Sequence, residues 1–151
     1  MAGARFVASC LCAGALAACS NAPQTAEIRF ISNPIYAEQG IPISDAVEAD
    51  GWLFLSGVIG VQPGTAKLVP GGVEAESRRV MDIIKSRLEA EGLGMDRIVR
   101  CLVMIDDMAE WPTFNSVYKE YFDGDYPARS AFGADGLALG ARVEVECTAR
   151  R

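Results

Sequence analysis

Residues 142–149 alternate without interruption: Val143, Val145 and Cys147 fall on one side, Arg142, Glu144 and Glu146 on the other. This pattern requires a strand with one apolar face, so the chain must build a sheet and cover that face with another element. The cover is legible upstream. Behind Gly71 and Gly72, Val73, Val80, Ile84 and Leu88 share one helical face with Ile83 beside them. Glu74 and Glu76 lie near the positive end of this helix and Lys85 and Arg87 near the negative end, before Gly92 and Gly94 stop it. Across 111–122, Phe114, Val117, Tyr118 and Tyr121 recur at spacings of three or four and form a second apolar stripe, read as core.

Strand-like segments flank these helices. Residues 27–32 and 46–56 have strand composition, the latter folded back at Asp50-Gly51, a hairpin signal. Trp52, Phe54 and Val58 are expected on one side, with Gly57 loosening the strand between them. Residues 98–105 are rich in β-branched side chains, and 129–132 form a short strand after the break at 123–127. The expected fold is α+β, a mixed sheet with two helices packed on one face, in a single domain over 27–151.

Composition narrows the chemistry. The 151 residues include no histidine, which removes imidazole general bases, histidine-dependent nucleophiles and the usual histidine-containing zinc sites. No C-x-x-C metal spacing occurs. A formal charge of −6 opposes a nucleic-acid backbone, so no nucleic-acid partner is expected. What remains is carboxylate, guanidinium, hydroxyl, thiol and backbone chemistry.

The N-terminal stretch suggests a compartment. Arg5 is the only charge before Glu27, and an apolar run over 6–18 ends in Leu16-Ala17-Ala18-Cys19, which resembles a bacterial lipobox. The expectation is a lipoprotein signal peptide over 1–18, lipidation at Cys19, a tether over 19–26 and a periplasmic, membrane-anchored protein. Secreted or cytoplasmic placement is the alternative. Cys101 and Cys147 lie in strand-like segments that the sequence does not place side by side: they are open to pairing in an oxidising compartment if their Cα atoms fall within about 7 Å, and free, buried, small apolar residues are the plainer reading.

Two charged positions stand out. Glu144 and Glu146 share one side of the last strand, a pattern that a solvated face also produces. Arg129 follows Tyr126-Pro127-Ala128, where proline fixes the local backbone and a rigidly presented guanidinium suits a planar anion; a surface arginine is the plainer alternative.

Taken in order, Ser56-Gly57-Val58-Ile59-Gly60, Gly71-Gly72-Val73-Glu74-Ala75, Phe114-Asn115-Ser116-Val117-Tyr118, Tyr126-Pro127-Ala128-Arg129-Ser130 and Val143-Glu144-Val145-Glu146 resemble the RidA/YjgF (Rid, endoribonuclease L-PSP) family of reactive-intermediate deaminases. The resemblance implies a chorismate-mutase-like fold, a homotrimer with clefts between subunits, and hydrolysis of 2-imino or 2-enamino acids to 2-oxo acids and ammonia without metal or organic cofactor. By that likeness Arg129 holds the substrate carboxylate, Glu144 positions water, and Ser56, Gly57, Asn115 and Ala131 line the cleft. The family's tyrosine ahead of the first long strand is matched by Ile43, and a cysteine frequent two residues after the arginine by Ala131. A non-catalytic module that binds or senses a small carboxylate is the alternative function.

An imine carbon is already electrophilic, so its hydrolysis needs a fixed substrate, a placed water and a group to accept the proton. Arginine and glutamate can fill these roles.

Overall fold

The computed structural model describes residues 27–151. The expected signal peptide, lipidation at Cys19 and tether lie outside these residues. The chain forms β1 (Ile28–Ile31), α1 (Pro34–Glu38), β2 (Ala46–Ala49), β3 (Trp52–Leu55), β4 (Val58–Ile59), α2 (Gly72–Ala90), β5 (Ile98–Ile105), α3 (Trp111–Lys119), β6 (Ala128–Gly133) and β7 (Val143–Arg150). The strands make one sheet in the order β1-β2-β3-β7-β5-β6, with β4 also paired to β7. All pairings are antiparallel except β5 with β6. The sheet is therefore mixed, and α2 and α3 cover one face, as expected. The short α1, capped by the Asn33 side chain, was not anticipated.

The core forms where the two periodicities meet. Val80, Met81, Ile84 and Leu88 from α2 and Phe114 and Tyr118 from α3 pack on Leu53, Leu55, Cys101, Val103, Ile105, Val143, Val145 and Cys147. The alternation of the last strand holds throughout: its odd positions are buried and its even positions are not. Burying a Leu- or Ile-sized side chain contributes about 1.5–3 kcal/mol, so truncation on this face costs more than anywhere else in the sheet.

Two readings are corrected. Trp52 and Phe54 do not share a side with Val58: Leu53, Leu55 and Val58 are buried, whereas Trp52 and Phe54 are exposed on the uncovered face. Both β3 and β4 pair with β7, and the residues between them, Ser56 and Gly57, interrupt the ladder and shift the alternation by one position. The second correction concerns the cysteines. Cys101 and Cys147 lie directly opposite one another on β5 and β7 and form a disulfide, with Cα atoms 4.1 Å apart. The sequence could not supply that adjacency because 46 residues separate the two.

The face without helices carries Ile28, Phe30, Trp52, Phe54 and Phe132, all exposed, and Phe30 reaches 67%. Ile28, Phe30, Trp52 and Phe54 neighbour one another across β1–β3, an apolar surface of the kind that marks an interaction face, and Phe132 stands apart on β6 at the far edge.

Candidate functional site

Arg129 is placed by the parallel pairing of β6 with β5, which sets it beside Cys101 and turns its side chain to the helix-covered face. There α3 supplies an aromatic wall. The guanidinium carbon lies 4.4 Å from the Tyr118 ring centroid, 4.7 Å from Trp111 and 5.9 Å from Phe114. Each such contact contributes about 0.5–2 kcal/mol when solvent is excluded. Nη2 donates to Asn115 Oδ1 at 2.8 Å. Nη1 and the Tyr118 hydroxyl are both buried and have no hydrogen-bond partner among the described residues. An unmet buried donor costs about 1–3 kcal/mol, more when charged, so the arrangement is costly unless something else completes it.

The cleft at this point has a volume of about 280 Å³ and is lined by Asn115, Tyr118, Lys119, Tyr126, Pro127 and Arg129. Two cations and no carboxylate line it, in a chain whose net charge is −6. This local reversal of sign favours an anionic ligand. A planar carboxylate matches the guanidinium fork.

Glu144 lies elsewhere. On β7 it pairs with Ile59 of β4 and Met104 of β5, and it faces away from the helices. Its carboxyl packs against Gly57: a Cβ at that position would stand 2.1 Å from Oε1. Gly57 is therefore bare because the acid occupies its side-chain space. Burial, with the like charge of Glu146 as a second cause, raises the Glu144 pKa above the usual carboxylate value.

The predicted site residues thus fall into two groups within one protomer. Arg129 and Asn115 are in contact, with Ala131 on the same strand and facing the same side. Gly57 and Glu144 are in contact on the opposite face of the sheet. Ser56 donates its hydroxyl to the Ser44 carbonyl at 2.6 Å, so its side chain holds the loop before β2. Ile43, at the position of the family tyrosine, is exposed in that loop. Trp111, Tyr118, Lys119 and Tyr126 were not singled out as site residues. Tyr118 left a signal, however: a hydroxyl within an otherwise apolar stripe needs a polar partner, which Phe or Leu would not.

The comparisons with known proteins follow this geometry. The sequence model described as Endoribonuclease L-PSP matches residues 37–151. The 2-iminobutanoate/2-iminopropanoate deaminase of mouse is 38% identical over 108 residues, covering 72% of this chain and 80% of that protein. Among solved structures, YEO7 of yeast superposes with a TM-score of 0.70 at 36% identity, covering 73% of this chain and 87% of the other. TdcF of E. coli with bound serine does so at 0.69 and 32% identity, covering 73% and 88%.

The relatives also correct the expected compartment. They include proteins of mouse, cattle, fruit fly and Arabidopsis, whose cells have no periplasm. The family match therefore points away from the periplasmic lipoprotein placement, and with it from the signal peptide and the lipid anchor at Cys19. The order of motifs, the mixed sheet under two helices and the extent of these matches agree on one assignment: the chain belongs to the RidA/YjgF, or endoribonuclease L-PSP, family.

Proposed function

We propose that the protein hydrolyses small 2-imino acids, or their enamine tautomers, to 2-oxo acids and ammonia. The observation that carries this reading is Arg129, a guanidinium set on aromatic rings with one buried nitrogen lacking an acceptor, in a cleft lined by no carboxylate. Relatives named as imine deaminases at 35–38% identity support it over binding without turnover. The serine in the TdcF structure, a small molecule with a carboxylate beside a nitrogen-bearing carbon, is consistent with the ligand size.

In the proposed reaction Arg129 grips the substrate carboxylate through paired hydrogen bonds, with Asn115 fixing the guanidinium from behind. Water adds to the C=N carbon, and Glu144 accepts a proton from it. Glu144 passes that proton to the nitrogen, giving a neutral carbinolamine; the hydroxyl proton of the carbinolamine then moves through the same carboxylate to the nitrogen as the C–N bond breaks, so that ammonia leaves and the carbon becomes the ketone of a 2-oxo acid. Imine and water are consumed, and no oxidant or reductant is required. The raised pKa makes Glu144 a stronger base than an ordinary carboxylate.

Arg129 and Glu144 face opposite sides of the sheet in one protomer, so the proposal joins them across copies in a homotrimer whose clefts lie between subunits. The exposed apolar face carrying Phe30, Trp52, Phe54 and Phe132 is the surface such copies would bury. The test is an assay in which an amino-acid oxidase generates the imine and its decay is followed. Purified protein is expected to accelerate that decay, and Arg129→Ala to remove about a hundredfold of the acceleration. Equal decay with and without wild-type protein would overturn the reading.

A further inference from the structure

Besides the Arg129 nitrogen, the Tyr118 hydroxyl is the other side-chain polar atom that is buried without a partner among the described residues. The two side chains touch each other and line the same cleft. Tyr118 is 2% exposed, and its ring is clamped between Phe114, at 5.6 Å, and Phe122, at 4.8 Å. The ring needs no hydroxyl to fill this place, and a phenylalanine would pack equally well while sparing the cost of an orphaned O–H. The hydroxyl contributes nothing to the fold that would explain it. Among the described residues the other buried unmatched side-chain atom belongs to Arg129, whose guanidinium lies over this same ring at a cleft lined by cations.

We propose that the Tyr118 hydroxyl is a second anchor for the substrate's anionic group, donating to the carboxylate held by Arg129. This rests on the deaminase reading for the identity of the substrate, but not for the presence of an anion. Burial pushes the phenol up to about 12, against the smaller opposing influence of Arg129, so it remains a neutral donor across the working range. Ring and hydroxyl then have separate tasks: the ring carries the guanidinium and the hydroxyl meets the ligand.

Tyr118→Phe separates them. Two quantities are measured on wild type and variant: KM and kcat for oxidase-generated 2-iminobutanoate, and the Kd for pyruvate, a 2-oxo acid whose binding needs no turnover. The variant is expected to raise KM and the pyruvate Kd about tenfold, with kcat within about twofold. It should unfold at the same temperature as wild type or a higher one, because an unmet hydroxyl has been removed. A purely structural hydroxyl would give the reverse: lower unfolding temperature, unchanged Kd. Wild type that binds pyruvate without turning over the imine, with binding weakened in the variant, upholds the anchor and removes the deaminase reading. Turnover with KM and Kd unaffected by the substitution overturns the anchor and leaves that reading standing. Wild type that neither binds pyruvate nor turns over the imine overturns both.

Discussion

Two arginines lie partly enclosed against the helices, and their surroundings differ in one respect. Arg87 of α2 is matched by acceptors from its own fold: it pairs with Asp45 at 2.5 Å and donates to Tyr36 Oη at 2.9 Å and to the Ser56 carbonyl at 3.3 Å. Arg129 has a single protein acceptor, Asn115, and otherwise rests on aromatic rings. The first ties the loop before β2 to α2 and to the break between β3 and β4. The second is held in position but not neutralised. A buried guanidinium with its own carboxylate is a structural part, whereas one that lacks it is ready for a carboxylate from outside.

Swapping the losses is the strongest way to break that contrast. Arg129→Ala should remove about a hundredfold of imine hydrolysis while lowering the urea midpoint less than Arg87→Ala does, because relief of the unmet Nη1 offsets part of the lost aromatic contacts and no partner is left charged and alone. Arg87→Ala should do the opposite, costing about 2 kcal/mol in urea unfolding as Asp45 loses its counter-ion, with turnover preserved in the molecules that remain folded. If both variants lose activity and stability together, the two environments are not functionally distinct.

Glu144 sharpens the comparison from the acidic side. Glu144→Gln should lower kcat about tenfold to a hundredfold and erase the acid limb of the pH–rate profile. In the wild type that limb falls as pH drops through a carboxyl pKa raised by burial and by Glu146, so Glu146→Gln should move it to lower pH. The sign for stability is opposite to that for activity. A carboxyl whose pKa is raised by folding resists ionisation in the native state, a cost that is present above the folded pKa and disappears below the unfolded one. Glu144→Gln should therefore be slightly more stable than wild type at neutral pH, measurable by thermal unfolding.

The smallest change is Gly57→Ala. The added methyl would enter the space of Glu144 Oε1, and because that oxygen ends a movable side chain, the carboxyl yields rather than the backbone. The expected result is roughly a tenfold loss of kcat with an unfolding temperature close to wild type. Unchanged kcat would show that the position of this carboxyl is not important to the reaction.

Local patterning made much of this fold readable. Alternation located β7 and the helical spacings located α2 and α3, because each depends on neighbours a few residues away. Asp50 and Gly51 do adopt the positive φ angles of the expected tight turn. The side of Val58 was misread because a break in the ladder changes the count without altering composition. The pairing of Cys101 with Cys147 stays open in the sequence because strand adjacency is a property of topology. Motif likeness singled out Ser56, Gly57, Asn115, Arg129, Ala131 and Glu144, of which the fold brings Arg129 to Asn115 and Gly57 to Glu144, but periodicity assigned Tyr118 to the core. Spacing reports where a side chain is buried and is silent on whether its polar end has been satisfied.

The cystine bears on how the two halves of the site can move. It stitches β5 to β7 at the middle of the sheet, across 46 residues of intervening chain, and leaves β6 and β1 as unstitched outer strands. Amide hydrogen exchange should therefore be slowest around Cys101 and Cys147 and fastest along β6. On the proposed function, the strand bearing Arg129 is then free to breathe as a small acid enters or leaves, while the register that seats Glu144 stays locked.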